Sequence, residues 1–290
     1  MSTPDSGYAL GHTDRERRRL SLQARFINPL TEDFFLRAGL RQGMRVLDLG
    51  CGVGEVSLLA SRLVGPGGTV TGIDIDECAL EIARERMRVE GLSQARFERS
   101  GLLNFENVEP FDAVVGRLIL LHTPDPAAVI RHAVSLLAPG GIIAFQEGPF
   151  TRPALAGVPR AEWDRTVDAI TATMERLCKH AAVGLRLWRL LMDAGIVDIQ
   201  SRGELAVDGS PDSLMFEWLA ETARSIGAEG LEFDGLADRL RAEMVELGGS
   251  AVTPVLYAVS GRKPGAPAPG TRSVGQIGTN LPPIVNRRGR

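Results

Sequence analysis

Residues 46–54 read VLDLGCGVG, an apolar run that ends in glycine at three alternate positions, Gly50, Gly52 and Gly54. Residues 69–76, TVTGIDID, form a second apolar run that closes on the carboxylate of Asp74. A strand, a glycine turn, a helix, a second strand and a carboxylate at its tip make the repeating unit of a parallel sheet with crossover helices. Glycine at the turn lets the backbone bend sharply and removes side chains between main chain and ligand. A carboxylate at the tip of the next strand can accept hydrogen bonds from both hydroxyls of a ribose. The layout is that of an adenosine-binding crevice.

The alternation continues downstream. Strands are expected over 45–49, 69–73, 95–99, 111–116 and 142–146, with helices from Glu55 to the glycines at 65–68, over 77–90 and over 126–137. Short loops between them predict a doubly wound α/β sheet. Upstream, helical spacing over 13–40 is interrupted at Asn28-Pro29, which predicts two helices. Beyond Gly148 the pattern predicts a long helix over 160–182, a second over 184–194, a sixth strand over 196–207, interrupted helix over 213–248 and a last strand over 254–260. The expected organisation is a helical lid over 1–40, an α/β domain over 41–263 with caps at about 150–183 and 208–250, and a disordered tail over 264–290.

Composition narrows the function. A net charge of -3 gives no reason to expect nucleic acid or an anionic membrane as partner. No apolar run is long enough to span a bilayer, and the N-terminal residues lack the apolar core of a secretory signal. Cys51, Cys78 and Cys178 are few and widely spaced. They point to free thiols in a reducing cytoplasm rather than a disulfide framework or a metal site.

Several stretches together carry a resemblance. VLDLGCGVG is similar to a glycine-rich first motif, GIDID to an acidic ribose loop, FDAVVGRLILLH to a fourth-strand motif and LLAPGG to the turn before strand five. In these, and in the order of its late strands, the chain resembles the class I S-adenosylmethionine-dependent methyltransferases over about residues 8–260. The runs YALGHTDRERRRL and FQEGP are similar to a bacterial branch acting on small molecules. The resemblance implies a Rossmann-like seven-stranded sheet with an N-terminal helical lid and helical insertions. It also implies S-adenosyl-L-methionine as methyl donor, and an O, N or C nucleophile on a small, secondary-metabolite acceptor. Neither nucleic acid nor membrane is expected as partner; a homodimer is possible. Two alternatives stand beside it. An NAD(P)-dependent oxidoreductase would place a third glycine where this chain has Glu55. A protein that binds S-adenosylmethionine without catalysis would keep the same loop.

Site expectations follow residue by residue. Gly50, Gly52 and Gly54 let the backbone approach the donor, Asp74 accepts from its ribose, and Ile75 lies against adenine. Asp48, inside an apolar strand, orients the glycine loop, faces the donor's ammonium or is a structural carboxylate. The family's acidic residue after strand three is missing from Arg99-Ser100-Gly101-Leu102, where Gly101 stands at about its position; Ser100 or the backbone of Leu102 substitutes for it, or the contact is absent. Gln23 contacts the donor carboxylate. Arg117, at the end of strand four, holds a carboxylate or lines the methyl-transfer chamber. His122 and Glu147 are the candidate bases, with loop-capping and structural roles as the alternatives. Tyr8, His12, Gln146 and Trp163 complete the expected acceptor side, though a helical tryptophan is more often core.

Overall fold

The computed structural model describes residues 14–148 and 160–265. Tyr8, His12 and the expected tail lie outside the described residues. The core is one seven-stranded sheet in the order β3-β2-β1-β4-β5-β9-β6. Its strands are β1 (Arg45–Leu49), β2 (Thr69–Asp74), β3 (Ala95–Arg99), β4 (Phe111–Arg117), β5 (Leu137–Glu147), β6 (Val197–Glu204) and β9 (Leu256–Arg262). Pairing is parallel from β3 to β5, whereas β9 runs antiparallel between β5 and β6. The chain leaves β1 in opposite directions, toward β2 and toward β4, so a crevice opens at their carboxyl ends.

Alternation along the strands explains why both faces are covered. Val46, Ala113, Val115, Ile142 and Ala144 face one way, against helices α1 (Asp14–Ala38) and α2 (Glu55–Val64). Leu47, Leu49, Val114, Ile143 and Phe145 face the other. There they meet α4 (Pro126–Leu136), α5 (Ala161–Leu177), α6 (Leu187–Asp193), α7 (Met215–Ser225) and α8 (Leu236–Leu247). Helix α3 (Glu77–Val89) follows β2 and starts at Asp76, whose carboxylate accepts from the backbone N–H of Cys78 and Ala79. It caps the helix as its residue type predicts. A two-stranded ribbon, β7 (Val207–Asp208) with β8 (Ala251–Val252), ties the ends of the α7–α8 insertion together.

Several boundaries differ from expectation. α1 is one helix that runs through Pro29. An interior proline costs about 3 kcal/mol, yet tertiary contacts hold both sides of it. Asn28 bonds Glu55 and Arg117, and the Thr31 hydroxyl lies 2.6 Å from Gln146 Oε1. The turn at Pro139-Gly140-Gly141 is a bulge within β5: the partner of Phe111 is Leu137 but that of Ala113 is Ile142. Gly140, at φ 78°, supplies the bend. The long helix after β5 stops at Leu177, and the expected sixth strand splits into β6 and β7.

Candidate active site

The glycine turn after β1 is built by conformation. Gly50, Gly52 and Gly54 have φ of 66°, 51° and 82°, a region side chains rarely adopt. Their surroundings separate their roles. A Cβ on Gly50 would sit 2.2 Å from Ile119, so this glycine is a packing necessity. A Cβ on Gly54 would meet Ala83 at 3.0 Å, so Gly54 lets α2 approach α3 and does not line the cavity. A Cβ on Gly52 would meet nothing within 4 Å; it would project into a cavity of about 780 Å³ that Gly50 and Gly52 both line.

Asp74 stands at the tip of β2 on the same cavity. Its Oδ2 accepts from Gly52 N–H at 2.9 Å and its Oδ1 from Asp76 N–H at 3.0 Å. A carboxylate has about four acceptor positions, so each oxygen keeps one for a ligand hydroxyl. Ile75 is half exposed beside it, and Ser100, Leu102 and Asn104 close that end. Gly101 is not among the lining residues. An open face at Gly52 with a carboxylate holding spare acceptors above an apolar wall fits a nucleoside.

Behind the turn lies Asp48, buried, accepting from the Ser57 hydroxyl at 2.6 Å. Burial pushes its carboxyl up to about 7, against the pull of Ser57 and the Arg117 charge. Asp48 does not line the cavity; it braces the start of α2 against β1. Arg117 does line it. Burial lowers its guanidinium to about 10, opposed by the nearby charges of Glu55 and Asp48. Glu55, where a dinucleotide fingerprint would have glycine, is paired with Arg86 at 2.8 Å.

The opposite end of the cavity is assembled from distant segments. Arg19, Leu20 and Gln23 come from α1, Leu118 to Thr123 from the turn after β4, Met174 from α5, and Thr222 and Ile226 from α7 and its cap. Gln23 is buried and its Oε1 accepts from Arg19 at 2.8 Å. His122 lines the cavity, with Nδ1 at 3.8 Å from Cys178 Sγ. Burial and then the charge of Arg19 depress it to about 4, so the ring is neutral at pH 7.

Three expected acceptor-side residues stand elsewhere. Glu147 is fully buried and does not line the cavity. Its Oε1 accepts from the backbone N–H of Ile119 and Leu120, both at 2.8 Å, and anchors the turn that carries His122. Gln146 is also buried, between Thr31 and Glu204, 2.6 Å from each. Its amide ties α1 to β6. Trp163 packs edge-on against Phe216 in the core. Sequence position at a strand end placed the first two near the crevice, but side chains alternate across a strand and theirs point into the protein. Among the residues that pattern reading missed are Met174, Thr222 and Ile226. Their helical spacing marks them as core, and only the fold turns them toward the cavity.

Comparison with known proteins agrees with this geometry. Residues 40–194 match the methyltransferase domain family. Over 121 residues the chain is 37% identical to the ubiquinone biosynthesis O-methyltransferase of Thiobacillus denitrificans, covering 41% of this chain and 50% of that protein. The chain thus spans about half the length of several such curated relatives. Among solved structures, the cyclase SpnF superposes with a TM-score of 0.52 at 23% identity, over 82% of each chain. Phosphoethanolamine N-methyltransferase 2 of Haemonchus contortus, bound to S-adenosylhomocysteine, superposes with a TM-score of 0.51 at 20% identity, over 81% of this chain and 52% of that one. Identities this low speak for the shared fold alone. The family match covers more than half of the 290 residues, and the glycine turn, Asp74 and the antiparallel β9 lie where such a fold needs them. The chain belongs to the class I S-adenosylmethionine-dependent methyltransferases.

Proposed function

We propose that this protein transfers the methyl group of S-adenosylmethionine to a hydroxyl oxygen of a small, largely apolar acceptor. One observation carries the reading: a single cavity joins the Gly52–Asp74 end to an end walled by Leu20, Leu118, Leu121, Met174 and Ile226. When bound, the donor supplies a methyl group on a sulfonium that is already a good leaving group. Gly50, Gly52, Asp74 and Ile75 would hold it. The apolar wall would orient the acceptor and exclude water, which is the larger part of what such a reaction needs from a protein. His122, neutral at pH 7, is suited to accept a hydrogen bond from the acceptor hydroxyl; a ring held near 4 is a poor proton sink. Glu147 is an anchor rather than a base. Oxygen is favoured over nitrogen or carbon by the O-methyltransferase relatives, and the chamber's apolar lining suits an aromatic body. A secondary-metabolite acceptor and a cytoplasmic setting follow the resemblance of the N-terminal run and the three free thiols.

Calorimetric titration with S-adenosylmethionine, S-adenosylhomocysteine and NADH tests the donor side, and labelled-methyl transfer to a panel of hydroxylated aromatic compounds tests the acceptor side. Both sulfur nucleosides are expected to bind and NADH is not. In Asp74→Ala the loss of charge-assisted hydrogen bonds should weaken binding by at least ~10-fold while the fold survives. Binding that is indifferent to Asp74, or methylation confined to amines, would overturn the corresponding half of the reading.

A further inference from the structure

Cys178 is a buried thiol that stands behind the acceptor end of the cavity without lining it. It caps the C-terminal end of α5. Its backbone N–H donates to the Met174 carbonyl at 2.8 Å and its carbonyl accepts from Ala181 N–H at 3.1 Å, so its place is fixed from both sides. Its Sγ lies 3.8 Å from Nδ1 of His122, which comes from the turn after β4, 56 residues away in sequence. A second tether joins the same two segments, with His180 Nε2 donating to the Pro124 carbonyl at 3.1 Å. His122 itself lines the cavity. The Nδ1 edge of its ring is therefore turned to a group behind the cavity wall, and Nε2 lies on the opposite side of the ring from that contact.

A neutral imidazole has one N–H and one bare nitrogen, and the partner at one nitrogen sets the role of the other. Between a thiol and an imidazole two arrangements exist. Either S–H donates to Nδ1 and the ring proton sits on Nε2, or Nδ1–H donates to sulfur and Nε2 is bare. Burial, and then the charge of Glu147, push the Cys178 thiol up to about 11, so it keeps its hydrogen. Two groups compete for that hydrogen. One is Nδ1; the other is the Glu147 carboxylate, whose Oε2 is buried with no hydrogen-bond partner among the described residues. The ring is neutral, because burial and then the charge of Arg19 hold it so, whereas the carboxylate carries charge once ionised. The S–H dipole orients toward the charge, which leaves the sulfur lone pairs to Nδ1–H.

We infer that Cys178 is a positioning residue, whose sulfur accepts from His122 Nδ1–H and fixes the ring in the tautomer that presents a bare Nε2 to the acceptor hydroxyl. A bare nitrogen attracts an O–H and repels an oxygen anion. The acceptor class this favours is a hydroxyl that enters with its proton on, not a preformed phenolate. The role toward the acceptor rests on the function proposed above; the tautomer does not. The test is nitrogen-15 NMR of the full chain with labelled histidine at pH 8, where Glu147 is ionised. Loss of signals in His122→Gln separates His122 from His12, His132 and His180. The wild type should carry its ring proton on Nδ1. In Cys178→Ala the proton should move to Nε2, and turnover of a hydroxylated aromatic acceptor should fall roughly 5-fold at unchanged affinity for S-adenosylhomocysteine. Cys178→Ser, whose oxygen accepts as sulfur does, should keep both the tautomer and most of the turnover. A wild-type ring protonated on Nε2 overturns the inference whether or not any variant folds. An unchanged tautomer in Cys178→Ala overturns it as well, and an equal loss of turnover in Cys178→Ser would mark Cys178 as packing alone. Failure of the wild type to methylate any hydroxylated aromatic overturns the acceptor reading instead, while the spectra still decide the tautomer.

Discussion

Glu147 places one oxygen on two backbone N–H groups and leaves the other, Oε2, buried without a partner. Burial raises its carboxyl to about 7, the backbone donors opposing. The ordinary value of the unfolded chain is about 4.3. Between those values the folded state binds more protons than the unfolded one, so this group makes stability fall as pH rises from about 4 to about 7, with no further loss above. Urea unfolding at pH 5 and pH 8 should show Glu147→Gln losing less stability over that interval than the wild type; an equal or steeper loss would mean that the carboxyl titrates normally. His122 has the opposite sign. Its folded value of about 4 lies below an unfolded value near 6.5, so its contribution rises with pH over that range. By the same token its ionisation adds no limb to a rate profile between pH 5 and 8. The glycines separate as sharply. Gly50→Ala would drive a methyl into Ile119 and should damage the fold. Gly52→Ala meets open space and should fold, with a cost of about 1–2 kcal/mol from its left-handed backbone, and lose donor affinity. Circular dichroism paired with titration distinguishes the two.

Among elements, α1 shows tertiary contact overriding local rule. Pro29 removes the N–H that would reach the Arg25 carbonyl, and read alone it divides the helix. The helix persists because Phe34, Phe35 and Ile27 are buried and because Asn28 and Thr31 are held from α2, β4 and β5. Pro29→Ala should therefore raise stability by about 1–2 kcal/mol, the recovered helical bond less the added freedom of the unfolded chain. A lower melting temperature would mean that a bend at Pro29 is what aims Asn28 and Thr31 at Arg117. The bulge in β5 makes the same point for strands. Pro139-Gly140-Gly141 reads as a turn outside the sheet, but Gly140 and Gly141 exchange backbone hydrogen bonds with Lys263 after β9, and the long-range pairing absorbs the turn into the strand.

For the whole molecule, the relevant quantity is the linkage between ligand and fold, since the cavity is walled by α1, by strand ends and by α5 and α7 together. A ligand that binds the folded state alone stabilises it by about 2.7 kcal/mol at a hundredfold excess over its dissociation constant. S-adenosylhomocysteine at that concentration should raise the melting temperature by several degrees, and NADH should leave it unchanged. A shift with NADH alone would contradict the family's donor as this chain's ligand.

Short-range chemistry is what the sequence determined by itself. The strand–glycine–helix turn, the Asp74 tip, the Asp76 cap and the alternation of buried strands are set by neighbours within a few residues, where backbone conformation and periodicity leave a direct trace. Gly50, Gly52, Ile75, Leu102, Gln23, Arg117 and His122 were legible as cavity residues for the same reason, each lying in or beside such a motif. The tertiary structure alone decided which way the strand-end side chains point. It turned Gln146 and Glu147 inward to hold α1 and the Ile119–Leu120 turn, and it brought Met174, Thr222 and Ile226 from far along the chain to the cavity. Those assignments depend on which helices pack against the sheet and at what angle. That is settled by the burial of whole faces, to which each residue contributes only a small share.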